Sequence, residues 1–279
     1  MAISELSTQE AREMFLYVSR KMVESKDLLT QADKAIGDGD HGVGMARGFE
    51  AVAEKLEKQS FNNTGDLLKT IGTTLLMSVG GAAGAIFGTF FRGAAKDLGN
   101  STSLDSRALS RMLLDGLEAV RQRGGAKVGD KTMVDALQPA ATKSEDMSSA
   151  PLSESLPAVA GAAEQGMEKT KEMTASIGKA KTLGERSLGH ADPGAISTYL
   201  ILKFMTEFVT ERDAPSISSL GKTVRLGRLR DAISGRILTV ALDHVRATAR
   251  WPESNTFRVE FGLLRMTKFG QFLTAEVYF

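Results

Sequence analysis

Asp33-Lys34-Ala35-Ile36-Gly37-Asp38-Gly39-Asp40-His41-Gly42 crowds three carboxylates, an imidazole and three glycines into ten residues. From Gly37 to Gly42 the spacing is G-x-G-x-x-G, the dinucleotide-binding fingerprint. That fingerprint needs a strand in front of it. Here the preceding apolar residues are Phe15, Val18, Met22, Leu29, Ala32 and Ile36. They recur at helical spacing, behind a capping box made by Ser7 and Glu10. Two aspartates inside a pyrophosphate cradle would also repel the ligand unless a metal stood between them. A calcium loop fails as well. With Asp38 as position 1, Val43 stands where glycine belongs and Phe49 where glutamate belongs. The stretch is therefore a glycine-rich turn following a helix, and the fold around it is not doubly wound.

Working outward, the same period continues. Met45, Phe49, Val52 and Leu56 mark a second helix. Leu109, Met112, Leu113, Leu117 and Val120 mark another, which Gly124 and Gly125 stop. Asp192 and Pro193 have the character of an N-cap and first helical position, opening a helix to about Glu211. No alternating strand stands out before about residue 211. The expected fold class is all-α, a bundle or barrel of amphipathic helices over residues 1–213. Residues 214–279 change character. Ile237 to Leu242 is apolar, Phe257, Val259 and Phe261 alternate, and so do Leu273, Ala275, Val277 and Phe279. Those are strand signals, in a C-terminal appendage of unassigned role.

Composition narrows the chemistry. The 279 residues are 42% hydrophobic and 25% charged, as in an ordinary globular protein. The net charge of +1 supplies no field for nucleic acid or for an acidic membrane. The chain has no cysteine, which excludes disulfides, thiol catalysis and cysteine-based metal centres. Its opening MAISELSTQE has no basic and apolar leader, so a cytoplasmic protein is expected. Ile71 to Phe91 is uncharged and carries Gly80, Gly84 and Gly88 at small-xxx-small spacing. It is rich in glycine, serine and threonine and lacks an aromatic belt. A buried helix and loop is expected there, not a membrane span.

Magnesium resolves the charge problem of the opening stretch. It binds through a few carboxylates together with substrate phosphates and water. Asp33, Asp38 and Asp40 are the candidate ligands, enough for two ions. A continuous helix would separate Asp33 from Asp38 by about 140°, so a turn at Gly37, Gly39 and Gly42 must bring them together. Ser78-Val-Gly80-Gly81-Ala82-Ala83-Gly84 is a second glycine-rich segment, read either as a phosphate cradle or as close helix packing. Gly124 to Met133 nearly spells a P-loop, but Asp130 interrupts it. Gly221-Lys222-Thr223 fails because Ser216 stands where the first glycine belongs. In Leu183 to Gly194, Arg186 can pair with phosphate, His190 can donate a hydrogen bond, and Asp192-Pro193-Gly194 opens a helix. The histidines are His41, His190 and His244, with none of the usual zinc spacings. No G-x-S-x-G elbow is present.

Four stretches in order, IGDGDHGVGMARGF, LLMSVGGAAGAIFGTFF, GDKTMVDALQPA and TLGERSLGHADPGAIS, resemble the L subunit or L domain of dihydroxyacetone kinases. The resemblance runs from about Phe15 to about Glu211. It implies a barrel of eight amphipathic helices with nucleotide, ADP or ATP, at one end. It implies that Asp33, Asp38 and Asp40 bind two Mg²⁺ that hold the diphosphate. It implies nucleotide contacts from His41, Gly42, Val43, Gly44, Ala82, Ala83, Gly124, Met133, Asp192, Pro193 and Gly194. Lys179 stands where the family often has arginine, and Ala83 where it often has serine. Lys179 is carried as a nucleotide contact, although lysine and arginine differ at bidentate sites.

The resemblance also implies a separate K-type subunit that binds the ketose, and a homodimer. The phosphate source is either ATP or a phosphotransferase-system protein acting on resident ADP. The alternatives are a subunit of an erythrulose-type ketose kinase, an ADP-loaded module that binds a transcription regulator, and a metal-binding bundle unrelated to nucleotides. Gly221 to Val245 resembles the opening of a class I aldolase barrel strand, without the rest of a barrel, and no activity is attached to it.

Overall fold

The structure, a computed structural model, describes residues 2–213 and, beyond them, the backbone of five strands. Met1–Pro215 and Ser216–Phe279 are two separate compact units.

In the first unit nine α-helices are described: α1 (Thr8–Glu24), α2 (Lys26–Ile36), α3 (His41–Glu57), α4 (Thr64–Ser78), α5 (Gly81–Ala94), α6 (Ser106–Gly124), α7 (Met133–Asp146), α8 (Leu152–Lys169) and α9 (Pro193–Asp213). Eight of them form a closed ring. In order around it, α1, α3, α4, α5, α6, α7, α8 and α9 each pack on the next, and α9 returns to α1. The short α2 packs on α3 and α9. Short loops between successive helices favour this neighbour-on-neighbour arrangement.

The ring's interior is apolar. Phe15 of α1 meets Phe91 of α5 edge to face at 5.9 Å, and Phe91 meets Phe90 at 5.0 Å. The helical periods read from the sequence are the buried faces. Met45, Phe49, Val52 and Leu56 of α3 are buried, as are Leu109, Met112, Leu113, Leu117 and Val120 of α6. α9 buries Leu200, Ile201 and Leu202 in succession. It is enclosed on several sides, since it touches α1, α2, α7 and α8.

Three expectations change. The period from Phe15 to Ile36 is two helices, because the chain breaks at Ser25. The Ser25 backbone and hydroxyl both donate to the Lys21 carbonyl, at 3.0 and 2.8 Å. The uncharged segment Ile71 to Phe91 is a helical hairpin, not a helix and loop. The chain reverses at Val79 and Gly80, where Gly80 takes φ 80°. Its two arms touch through glycine: a Cβ on Gly72 would lie 2.7 Å from the Gly88 carbonyl oxygen, and one on Gly88 would lie 2.9 Å from the Gly72 carbonyl oxygen. Among the described residues no helix is long and apolar enough to cross a membrane. Finally, two three-residue strands, β1 (Glu5–Ser7) and β2 (Ser103–Asp105), pair antiparallel. They are too short to show an alternation.

In the second unit β3 (Ile237–Leu242) pairs antiparallel with β4 (Val245–Arg250). β5 (Thr256–Val259), β6 (Gly262–Phe269) and β7 (Phe272–Tyr278) form an antiparallel meander. The apolar run Ile237 to Leu242 is a strand, as its composition suggests. Phe261, Phe279, His244 and most of the aldolase-like stretch lie outside the described residues.

Candidate functional site

One end of the first unit holds a cavity of about 700 Å³, lined by helix ends and the turns between them. Asp33 lies in the last turn of α2 and is buried. Its carboxylate accepts the His41 N–H at 3.1 Å, at the start of α3. A carboxylate there complements the helix dipole. The chain then turns through Gly37 to Asp40, with Gly39 at φ 80°. Gly42 is not part of the turn; it sits in the first turn of α3 and faces Thr30 and Lys26 of α2. One carboxylate oxygen each from Asp33, Asp38 and Asp40 lies within 4.8 Å of the others.

That acidic cluster carries its own cation. The Lys179 ammonium is 2.6 Å from Asp38 and 3.0 Å from Asp40. The bond to Lys179 holds the Asp38 carboxyl below its ordinary range, and Asp38, then Asp40, hold Lys179 above its own. Lys179 begins a 3-10 segment (Lys179–Ser187) just after Gly178, which has φ 71°. A positive group between two carboxylates stands in for a bound cation. The all-oxygen donor set is that of magnesium rather than of a softer metal.

The imidazole of His41 turns away from the aspartates toward α9. Its Nε2 is 2.8 Å from the Ser197 hydroxyl, and its ring lies 6.3 Å from that of Phe87. Burial lowers its pKa against the pull of Asp33. His41 thus ties α3 to α9, while Val43 and Gly44 reach the cavity wall.

The same cavity takes in the start of α5, which has Gly80 as its N-cap. No side chain caps it, and Gly81, Ala82 and Ala83 line the cavity. Uncapped N–H groups at a helix start favour an anion. Ile36, Ile86, Phe87, Met133 and Ile177 supply apolar wall.

The fourth wall joins the starts of α7 and α9. Thr132 and Asp135 form a capping box on α7. Lys131, at φ 61°, is the one non-glycine residue with positive φ among the described residues. It is 1% exposed, and its ammonium donates to the carbonyls of Thr170 and His190, each at 2.6 Å. It is thus a structural clasp, unlike a P-loop lysine. Burial lowers its pKa, while Asp192 and Asp135 act the other way. Asp192 caps α9, accepting the Ala195 N–H at 2.8 Å. Desolvation pushes its carboxyl up to about 7, although the Ala195 N–H works against it.

The cavity therefore brings together Asp33, Asp38, Asp40, His41, Val43, Gly44, Ala82, Ala83, Met133, Lys179, Asp192, Pro193 and Gly194. Gly124 lies beside it, facing Ile86 at the end of α6. Neither Gly42, Gly124, Arg186 nor His190 is in the lining; His190 contributes the carbonyl that Lys131 holds. Sequence reasoning missed the structural parts of the site. Lys131 falls in the failed P-loop and in the stretch GDKTMVDALQPA, and neither assigns it a role. The Thr132–Asp135 capping box was legible as T-x-x-D. Arg47 and Phe87 carried no signal of their own.

Residues 35–207 match the family model described as DAK2 domain. The ADP-binding subunit of the PEP-dependent dihydroxyacetone kinase of Escherichia coli K12 is 43% identical, over 64% of this chain and 86% of its own. The ADP-binding subunit of PEP-dependent dihydroxyacetone kinase 1 of Listeria innocua is 36% identical, over 67% and 89%. Among solved structures, the dihydroxyacetone kinase from C. freundii in complex with AMP-PNP and Mg²⁺ superposes with a TM-score of 0.57 at 30% identity. The match covers 70% of this chain and 33% of that one.

Proposed function

The chain belongs to the DAK2 domain family, and from that premise we propose that it is the nucleotide-binding subunit of a dihydroxyacetone-type kinase. The observation that carries the reading is the cavity itself. Three carboxylates with oxygens within 4.8 Å of one another and the uncapped start of a helix line one partly apolar cavity. That arrangement suits a nucleotide whose diphosphate is shared between cations and backbone N–H groups. The relatives named as ADP-binding, and the solved relative with AMP-PNP and Mg²⁺, support it.

In this reading Asp33, Asp38 and Asp40 hold magnesium, two ions by count of carboxylates. Bound magnesium neutralises phosphate charge and fixes phosphate orientation. The start of α5 offers N–H donors to the phosphates, and Gly81, Ala82 and Ala83 let the backbone come close. Lys179, now paired with Asp38 and Asp40, would be available to a phosphate oxygen if cations took those carboxylates. Asp192, Pro193 and Gly194 position the nucleotide from the side of α9. Ile86, Phe87 and Met133 exclude water from it. No residue of the chain is assigned as nucleophile or proton carrier; its part is positioning and charge neutralisation. The ketose comes from a K-type partner, and the nucleotide end is the part of this chain that meets it. A homodimer and a phosphotransferase-system donor belong to the same reading. The activity resides in residues 1–213, with 214–279 as an extension.

Calorimetric titration of the full chain with ADP, with and without Mg²⁺, tests the proposal. Binding that depends on Mg²⁺ is the expected result. No binding in either condition, with co-purified ADP excluded, would overturn it.

A further inference from the structure

A helix start can cradle phosphate only if the turn before it is held still. The turn before α5 is poorly equipped to hold itself. Gly80 and Gly81 are consecutive glycines at φ 80° and 56°. Such residues have the widest conformational freedom in the unfolded chain, and nothing in their own side chains restricts it. Gly80 as N-cap brings no side-chain bond. On the other side of the turn α4 ends at Ser78, leaving carbonyls that lack helical partners.

Arg47, on α3, spans this gap. Its Nε donates to the Ser78 carbonyl at 2.7 Å, and its Nη2 donates to the Val79 carbonyl at 2.6 Å. The two bonds run from two nitrogens of one planar fork to two successive carbonyls, whereas a lysine would have to reach both from a single ammonium on a flexible stem. Below the fork, Val79 is buried against α3: a Cβ on Gly44 would lie 3.1 Å from the Val79 carbonyl oxygen, and one on Gly48 would overlap the Val79 side chain. A Cβ on Gly80 would lie 3.2 Å from Arg47 Nη2, so the guanidinium lies directly against the turn glycine. Arg47 also lines the cavity.

We propose that Arg47 is a positioning residue of the nucleotide site, which sets the start of α5 by clamping the Ser78 and Val79 carbonyls. This rests on the nucleotide-binding reading above. The clamp couples two walls. Arg47 stands six residues after His41 on the helix whose first residues adjoin Asp33 and Asp40. The helix that follows the acidic turn therefore also fixes the turn before α5. The charge of Arg47 is secondary in this account, and the fork is what matters.

The test compares wild type, Arg47→Met and Arg47→Lys in the full chain, by amide hydrogen exchange without ligand and by titration with Mg·ADP. Both variants should exchange faster at Val79 and Gly84, whose N–H groups donate to the Leu75 and Gly80 carbonyls at 3.0 Å each, with α6 and α8 unchanged. Both should bind Mg·ADP about tenfold or more weakly, the loss expected when charge-assisted bonds that orient a site are removed. Unchanged exchange at the turn would overturn the proposal. So would faster exchange through every helix, which would make Arg47 a general support of the fold. Wild-type affinity in Arg47→Lys would overturn it too, by showing that charge alone suffices. If the wild-type chain binds no Mg·ADP, the nucleotide reading falls. The exchange measurement then still decides whether Arg47 sets the turn.

Discussion

Asp38 and Asp40 are exposed carboxylates, with side chains 55% and 71% accessible, and Lys179 is the partner they share. Removing either should leave the helices intact. Asp38→Ala and Asp40→Ala are each expected to abolish Mg²⁺-dependent ADP binding while the far-ultraviolet circular dichroism stays that of wild type. Unchanged ADP affinity would remove the metal assignment. Asp192 makes a different prediction because it is desolvated. Its carboxyl titrates near 7 when folded, against an ordinary 3.8. Between those values the folded chain keeps a proton that the unfolded chain has released. Stability from this group is therefore full below about pH 4 and is lost as pH rises toward 7. Asp192→Asn should flatten that part of the stability profile, measured as denaturation midpoint against pH; an identical slope would refute it. At this scale the sequence made the aspartates visible through their density, and Asp192 visible through the proline that follows it. It could not show Lys131, whose importance comes from two carbonyls, Thr170 and His190, 39 and 59 residues away.

Among the elements, α3 and α6 were legible because each buries one face at a regular period, and the start of α9 because Asp192 and Pro193 open it as a cap and first residue. The break at Ser25 was not. The period of apolar residues runs on through it, and only the local bonds to Lys21 reveal the kink. α7 and α8 were obscured by Pro139 and Pro157, which a reading by propensity takes as breakers. The α4–α5 hairpin was half legible. Its glycines pointed equally to a cradle and to close packing; Gly72 and Gly88 let the helices touch, while Gly80 turns the chain. That division gives a test. Gly80→Ala places a Cβ in a backbone region reserved for glycine, at a cost of about 1–3 kcal/mol. It should lower both the thermal midpoint and ADP affinity. A variant with wild-type values for both would show that the turn tolerates a side chain.

For the whole molecule, the closed ring was expected from resemblance and could not have been drawn from periodicity, which assigns faces but not neighbours. The apolar run Ile237 to Leu242 was legible as a strand, while its pairing with β4 was not. A chain ending at Pro215 is expected to bind Mg·ADP as the full chain does, because every described residue of the cavity lining belongs to the first unit. Insoluble or non-binding truncated protein would show that residues 216–279 support the helices. The ring also has a closing seam. Tyr17 on α1 meets Glu207 on α9 at 3.2 Å, Glu13 meets Arg212 at 3.0 Å, and His41 meets Ser197 at 2.8 Å. These contacts join the first helices to the last, while hairpin neighbours such as α4 with α5 and α7 with α8 pair locally. Local pairs form early and distant ones late. During synthesis, then, the acidic turn is made first and waits for some 150 residues of chain, a span set by His41 and Ser197, before α9 arrives to wall it in. The cavity of the emerging polypeptide is incomplete until that last helix has left the ribosome and docked.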